Sequence, residues 1–376
     1  MSTTGIIFSN LHDMSIADLT RRRTMASVPF GCRYRLVDFA LSNMVNAGIS
    51  DISVVTHNNY RSLMDHLGSG KDWDLARRSG GLKILPPFIT TYQGEGNTLY
   101  DSRLEALKNI QGFIADLTTD TVVLSDCDAI CNIDLKRVIK YHTEQKAKAT
   151  CVITKKMLTA ENSHHYRIVT SDNENNILDV ATHPKNVEGE HDILINIWVF
   201  DRSYLQSAVA DASAHGHKSF TTDVVLRNLG KFTYKTYRFD GYYASIESMA
   251  GYFGINMELL DPKTREALFK VKDRPIYTKV RNSAPAKYVE GATAKNSMIA
   301  DGCIIEGTVE NSILFRGVHV GKGAVVKNSI LFQDTQILAG ASVNCVIADK
   351  NVVVRSGVAL SGHPSMPFYI EKYKMI

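Results

Sequence analysis

The chain has 376 residues, 44% of them hydrophobic and 22% charged, and its 43 basic and 39 acidic side chains leave a formal net charge of +4. That length accommodates two domains with substantial cores, and so small a charge excess argues against nucleic-acid binding as the main activity. No apolar run reaches membrane-spanning length and no basic-then-apolar leader is visible, so a soluble, cytoplasmic protein without a membrane partner is expected.

In chain order, TGIIF reads as a first strand, followed by the loop FSNLHDMSIADL, the basic run Arg21, Arg22 and Arg23, and a helical VDFALSNMVNAG. This is the layout of a phosphate-gripping turn, but the loop contains no glycine. DISVVTH, a helical TLYDSRLEALKNI, TDTVVLSD, a helical LKRVIKYHTEQ and ATCVITK follow. Short apolar runs alternating with helix-length patterns predict βαβ units around a parallel sheet, with ligands beyond the carboxyl ends of the strands. Further strands are expected at ILINIWVFD and KTYRFDGYYASI, and a helix at MAGYFGINMELL. The charged, proline-punctuated DPKTREALFKVKDRPIYTK reads as a linker.

From residue 289 the sequence repeats. KNSMIADGCIIEGTV, ENSILFRGVHVGKGAVV, KNSILFQDTQILAGASV and NCVIADKNVVV align, with Asn296, Asn311, Asn328 and Asn344 at intervals of 15, 17 and 16 residues. Aliphatic residues about six apart, with small residues between them, predict a parallel β-helix. The expected organisation is therefore an α/β domain over 1–262, a linker over 263–288 and a β-helix over 289–376. Such coils also occur in acyltransferases that place a histidine between coils as general base. His319 is the one histidine available for that role, and an acyltransferase is a distant alternative.

The six cysteines show no CxxC pair and no zinc-ligand spacing, so buried thiols are expected; Cys127 and Cys131 would face one another only on a helix. Trp73 and Trp198 read as packing residues. His164 and His165 lack a neighbouring ligand at metal-binding spacing.

The run SVPFGCRYRLVDFALSNMVNAGI, Ser27 to Ile49, closely resembles the corresponding run of the glucose-1-phosphate adenylyltransferases, the ADP-glucose pyrophosphorylases, and NMELLDP at 256–262 is a second matching landmark. The resemblance covers essentially the whole chain. It implies a fold of α/β class, a Rossmann-like nucleotidyltransferase domain followed by a C-terminal left-handed parallel β-helix.

The family's functional motifs are altered. Its glycine-rich GGxGxRL loop brings backbone N–H groups to the phosphates, with an arginine balancing charge. Here the glycine positions hold Asn10, Leu11 and Asp13, and the arginine position holds Ser15. Met25 stands in place of the lysine of KRAKPAVPFGG and offers no charge-assisted hydrogen bond. Of two family aspartates that hold magnesium, Asp128 keeps its carboxylate between Cys127 and Ala129. Ser245 replaces the other, and Glu247 stands where a glycine belongs. GEGNTLYDS lacks the aspartate of GTADA, and His183, which supplies less charge near neutral pH, replaces the EKP lysine.

The strands and helices carrying these positions look intact, a pattern that resembles the family's GlgD-type companion subunit. The resemblance then implies no catalytic residues of its own, Asp128 as a vestigial metal position and His183 as a sugar-phosphate remnant. No cofactor is expected for the chain alone, magnesium being used by a catalytic partner. Partners are the catalytic subunit, in a homo- or hetero-oligomer that the family suggests is a tetramer, and a phosphorylated effector bound near Arg22 and Arg23, since clustered arginines suit phosphate. An active sugar-phosphate nucleotidyltransferase with a modified site is the alternative.

Overall fold

A computed structural model describes residues 2–86, 100 and 102–376. The chain divides into two compact units that interleave in sequence, one of residues 1–11, 39–245 and 272–277, the other of 12–38, 246–271 and 278–376. Among the described residues no helix is long and apolar enough to cross a membrane.

The first unit is built on a nine-stranded sheet. Strands β1 (Thr3–Phe8), β2 (Asp51–Val55), β3 (Gly81–Leu85) and β4 (Thr121–Asp126) run parallel in the order β3-β2-β1-β4, as the alternating pattern predicts. Ile6, Ile7, Phe8, Val122, Val123 and Leu124 are buried, which is why these runs are continuously apolar rather than alternating. The short strand β5 (Ala129–Cys131) follows, then β6 (Ala149–Leu158), β7 (Ile168–Ser171), β8 (Ile177–Ala181), β9 (Gly189–Asp201) and β10 (Tyr234–Arg238). β9 runs antiparallel to β4, β6 and β7, so the sheet is mixed rather than purely parallel. The last strand, β11 (Tyr243–Ser245), pairs antiparallel with β5.

Local chemistry accounts for the helices. Asp134 caps α1 (Leu135–Glu144), accepting from the Arg137 N–H, and Leu135, Val138 and His142 form its buried stripe. Asp201 caps α2 (Arg202–Ala214), which buries Leu205, Val209 and Ala212. Ser102 caps the shorter helix Arg103–Asn109. Trp73 and Trp198 are fully buried, as expected of packing residues. All six cysteines are buried thiols outside any disulfide, and Cys131 lies on a strand rather than a helix.

The second unit contains the β-helix. Its three parallel sheets have five strands each, and consecutive coils stack in register, Thr308 on Val325 on Ser342 on Ala359. Ile305, Val309, Leu314, Val320, Val326, Leu331, Ile337 and Val343 fill the interior. A Cβ on Gly307 would stand 2.3 Å from the Ala324 carbonyl oxygen of the next coil, so the coil spacing demands glycine there. Asn296, Asn311 and Asn328 turn the corners at φ of 41°, 45° and 44°, where asparagine is tolerated. The fourth corner differs from the sequence alignment: Asn344 pairs with Lys327, and Cys345, at φ 50°, takes the corner. The Asn344 side chain still accepts from Asn328 Nδ2 at 2.8 Å, so its stacking survives the one-residue offset.

The remaining segments of this unit pack on the coils. Tyr252, on the helix Met249–Glu258, donates to the Pro29 carbonyl and meets Phe332 edge-on. The Cys32 thiol donates to the Leu314 carbonyl at 3.2 Å, and burial pushes its pKa far up. The run most like the adenylyltransferases, Ser27 onward, is thus spent partly on holding the β-helix. The stretch read as a linker begins with a further helix, Pro262–Phe269, capped by Asp261 with proline at its first turn.

Candidate functional site

In the first unit the chemistry gathers where the sequence places it, beyond the carboxyl end of β4. Asp128 is buried, and Ser245 on β11 pairs with Ala129, the residue after it. The two positions that the resemblance assigns to the metal are therefore adjacent, with a hydroxyl on Ser245. Cys127 and Ala129 are buried neighbours.

Four residues not singled out from sequence complete this site. Asp126, at the end of β4, is gripped by Arg103 through Nε at 3.2 Å and Nη2 at 2.6 Å, both side chains buried. The Arg103 guanidinium also lies over the Phe8 and Phe220 rings. Asn196 donates from Nδ2 to Asp128 at 3.4 Å, and its Oδ1 accepts from Arg167 Nη1 at 3.0 Å. Burial lowers the Arg167 pKa and Arg103 lowers it further, while Asp126 and Asp128 act in the opposite sense; a guanidinium stays charged regardless.

Asn196 reaches this place because β9 bulges. The ladder to β6 passes from Leu194 opposite Ile153 to Trp198 opposite Cys151, and Asn196 sits in the excess with φ 58°. The sequence signal is a lone polar residue inside ILINIWVF.

Within the first unit, this donor set departs from what magnesium requires. Mg²⁺ takes oxygen ligands in a near-octahedral shell, usually one or two carboxylates with water and phosphate. Here a serine stands at the second position that the resemblance assigns to the metal, and Asp126 is already bound by a guanidinium.

Several of the other predicted positions are occupied by packing or internal hydrogen bonds. Asn10, in the first unit, is buried; its Oδ1 accepts from the Ser9 and Thr56 hydroxyls and the His57 N–H, and its Nδ2 donates to the Asn58 carbonyl. Leu11 packs against the apolar core of that unit. In the second unit Asp13 opens a short 3₁₀ turn that includes Ser15, and its carboxylate accepts from the Met25 N–H at 2.7 Å. Met25 is 1% exposed. Glu247 is half-buried just after β11, and His183 is exposed in the bend after β8. Of GEGNTLYDS, all but Tyr100 and Ser102 lies outside the described residues.

The arginines divide. Arg22 is 55% exposed and lies 3.2 Å from Glu371. Arg23 is buried and donates from Nη2 to both oxygens of Asp349, at 2.8 and 2.7 Å. His319 lies on a strand, in register with Ile304 and Gln336, with Nε2 3.7 Å from Glu306. His164 and His165 are exposed at the end of a short turn.

Comparison with known proteins agrees with both halves of this architecture. The model of the nucleotidyl transferase family matches residues 15–250, and that of the GlmU-like C-terminal hexapeptide family matches residues 284–365. The glycogen biosynthesis protein GlgD of Bacillus subtilis is 36% identical over 369 residues, covering 98% of this chain and 95% of that protein. GlgD of Geobacillus stearothermophilus is 36% identical over 322 residues, 86% of this chain and 82% of its own length. The glucose-1-phosphate adenylyltransferase of Thermosipho africanus is 33% identical over 313 residues, 82% of this chain and 74% of its own. An α/β sheet with its altered site at the end of β4, a stacked β-helix and these near full-length similarities place the chain in the nucleotidyl transferase family, in its group of glucose-1-phosphate adenylyltransferases and GlgD-type proteins.

Proposed function

We propose that this chain is a regulatory, catalytically deficient subunit of glycogen biosynthesis that assembles with a catalytic glucose-1-phosphate adenylyltransferase and alters its output. The observation that carries the reading is Met25. The position at which the family directs a lysine at phosphate holds an apolar side chain sealed in the interior, its own N–H capped by Asp13. The site is rebuilt for packing rather than merely lacking a charge. The two GlgD proteins support the same reading by their similarity over most of the chain.

Regulation is assigned to a phosphorylated effector at the cationic end of the second unit. Arg22 is 55% exposed there and pairs with Glu371 near the surface, whereas Arg23 is buried on Asp349. Lys350 lies among further cations: burial pulls its pKa well down, and Arg35 and Arg23 add to that shift. Such a cluster is relieved by an anion.

The test is ADP-glucose synthesis by the catalytic subunit of the same organism, with and without equimolar amounts of this chain. Turnover or effector half-saturation should change about fivefold or more, the lower end of ordinary coupling. An unchanged partner that also fails to co-elute with this chain would contradict the proposal.

A further inference from the structure

Asp126 and Asp128 bring two negative charges to the end of β4, and two guanidiniums answer them. Arg103 binds both oxygens of Asp126, and Arg167 reaches Asp128 through the Asn196 amide. We propose that Arg103 and Arg167 are built-in counter-cations that occupy the electrostatic place of a divalent metal, so that the chain folds with this acidic site neutralised and takes up no magnesium.

The Asn196 amide fixes the direction of the relay. Its carbonyl oxygen faces a group that only donates and its NH₂ faces a carboxylate that only accepts, so each end meets its complement. Asn196 makes both contacts from the bulge in β9, at a positive φ. A metal ion approaching Asp126 would have to break a two-point, charge-assisted bond. It would also strand a buried guanidinium beside a double positive charge, where repulsion is weakly screened. Ser245 offers a neutral hydroxyl where a carboxylate would have attracted the ion.

The inference rests on the reading that metal-dependent chemistry has been lost here, but it concerns metal uptake and is tested apart from turnover. A chain silent in the ADP-glucose assay that nevertheless binds metal would refute this inference alone.

The experiment titrates Mn²⁺, a paramagnetic stand-in for Mg²⁺, into the full chain and follows the free-ion electron paramagnetic resonance signal. The unmodified chain should take up no Mn²⁺ at millimolar concentrations. Arg167→Met, which keeps the stem and removes the charge, should gain a site that Asp128→Asn in the same background abolishes. Arg167→Lys, which keeps a positive charge, should remain without metal. Uptake by the unmodified chain that Asp128→Asn removes would overturn the proposal, as would a folded Arg167→Met chain that binds none. Should Arg167→Met fail to fold by circular dichroism, the comparison of the unmodified chain with Asp128→Asn decides.

Discussion

Replacing Asp349 by alanine should lower stability by ~3–5 kcal/mol, the usual cost of stripping one partner from a buried ion pair. The Arg23 and Asp349 side chains are 4% and 3% exposed, and a single nitrogen, Nη2, serves both carboxylate oxygens. Tyr369 donates a further hydrogen bond to Asp349 at 3.0 Å, and the Lys350 N–H another at 2.6 Å. Without the carboxylate, Arg23 would face Lys350 and Arg35 with its charge uncompensated, and its Nη1 already lacks a hydrogen-bond partner. Asp349→Asn should cost less, because it retains acceptor geometry while losing charge. Urea unfolding followed by circular dichroism measures both; an unchanged midpoint for Asp349→Ala would show that the pair does not hold this unit together.

The second large effect concerns the family's missing lysine. Met25→Lys should destabilise by ~4 kcal/mol or more, since burying an ammonium shifts its pKa by about 3–5 units at ~1.4 kcal/mol each. Met25→Leu, which conserves volume and polarity, should stay within ~1.5 kcal/mol. Paired with Ser15→Arg, Met25→Lys should leave ADP-glucose formation at background. The glycine positions would still hold Asn10, buried under four hydrogen bonds, and Asp13, whose carboxylate caps residue 25. A large gain in ADP-glucose formation by the double variant would mean that the site lacked only its cations. The same urea titration gives the stability difference.

Much of the fold is legible from local pattern because local pattern causes it. The Leu135, Val138 and His142 stripe follows the helical period, and the continuous apolar runs of β1 and β4 report burial on both faces. The β-helix is readable because each coil must bury aliphatics at the same places. Its last corner lies one residue beyond the recurring asparagine, because Asn344 keeps the side-chain stack while Cys345 turns the chain.

The site was less legible. Asp128 and Ser245 could be placed by resemblance, but the network around them depends on a bulge that no periodicity announces, and on Arg103 turning inward from the first residue of its helix. Adjacent arginines look alike in sequence. Only the fold separates Arg22, at the surface, from Arg23, whose partner lies 326 residues away.

On the function proposed above, this chain does not perform the family's reaction by itself. The most direct test is ADP-glucose formation by the purified protein with Mg-ATP and glucose 1-phosphate, without a partner. Product should stay at background; turnover of ~1 s⁻¹ or faster, within the ordinary enzyme range, would make this chain a working enzyme and overturn the proposed function.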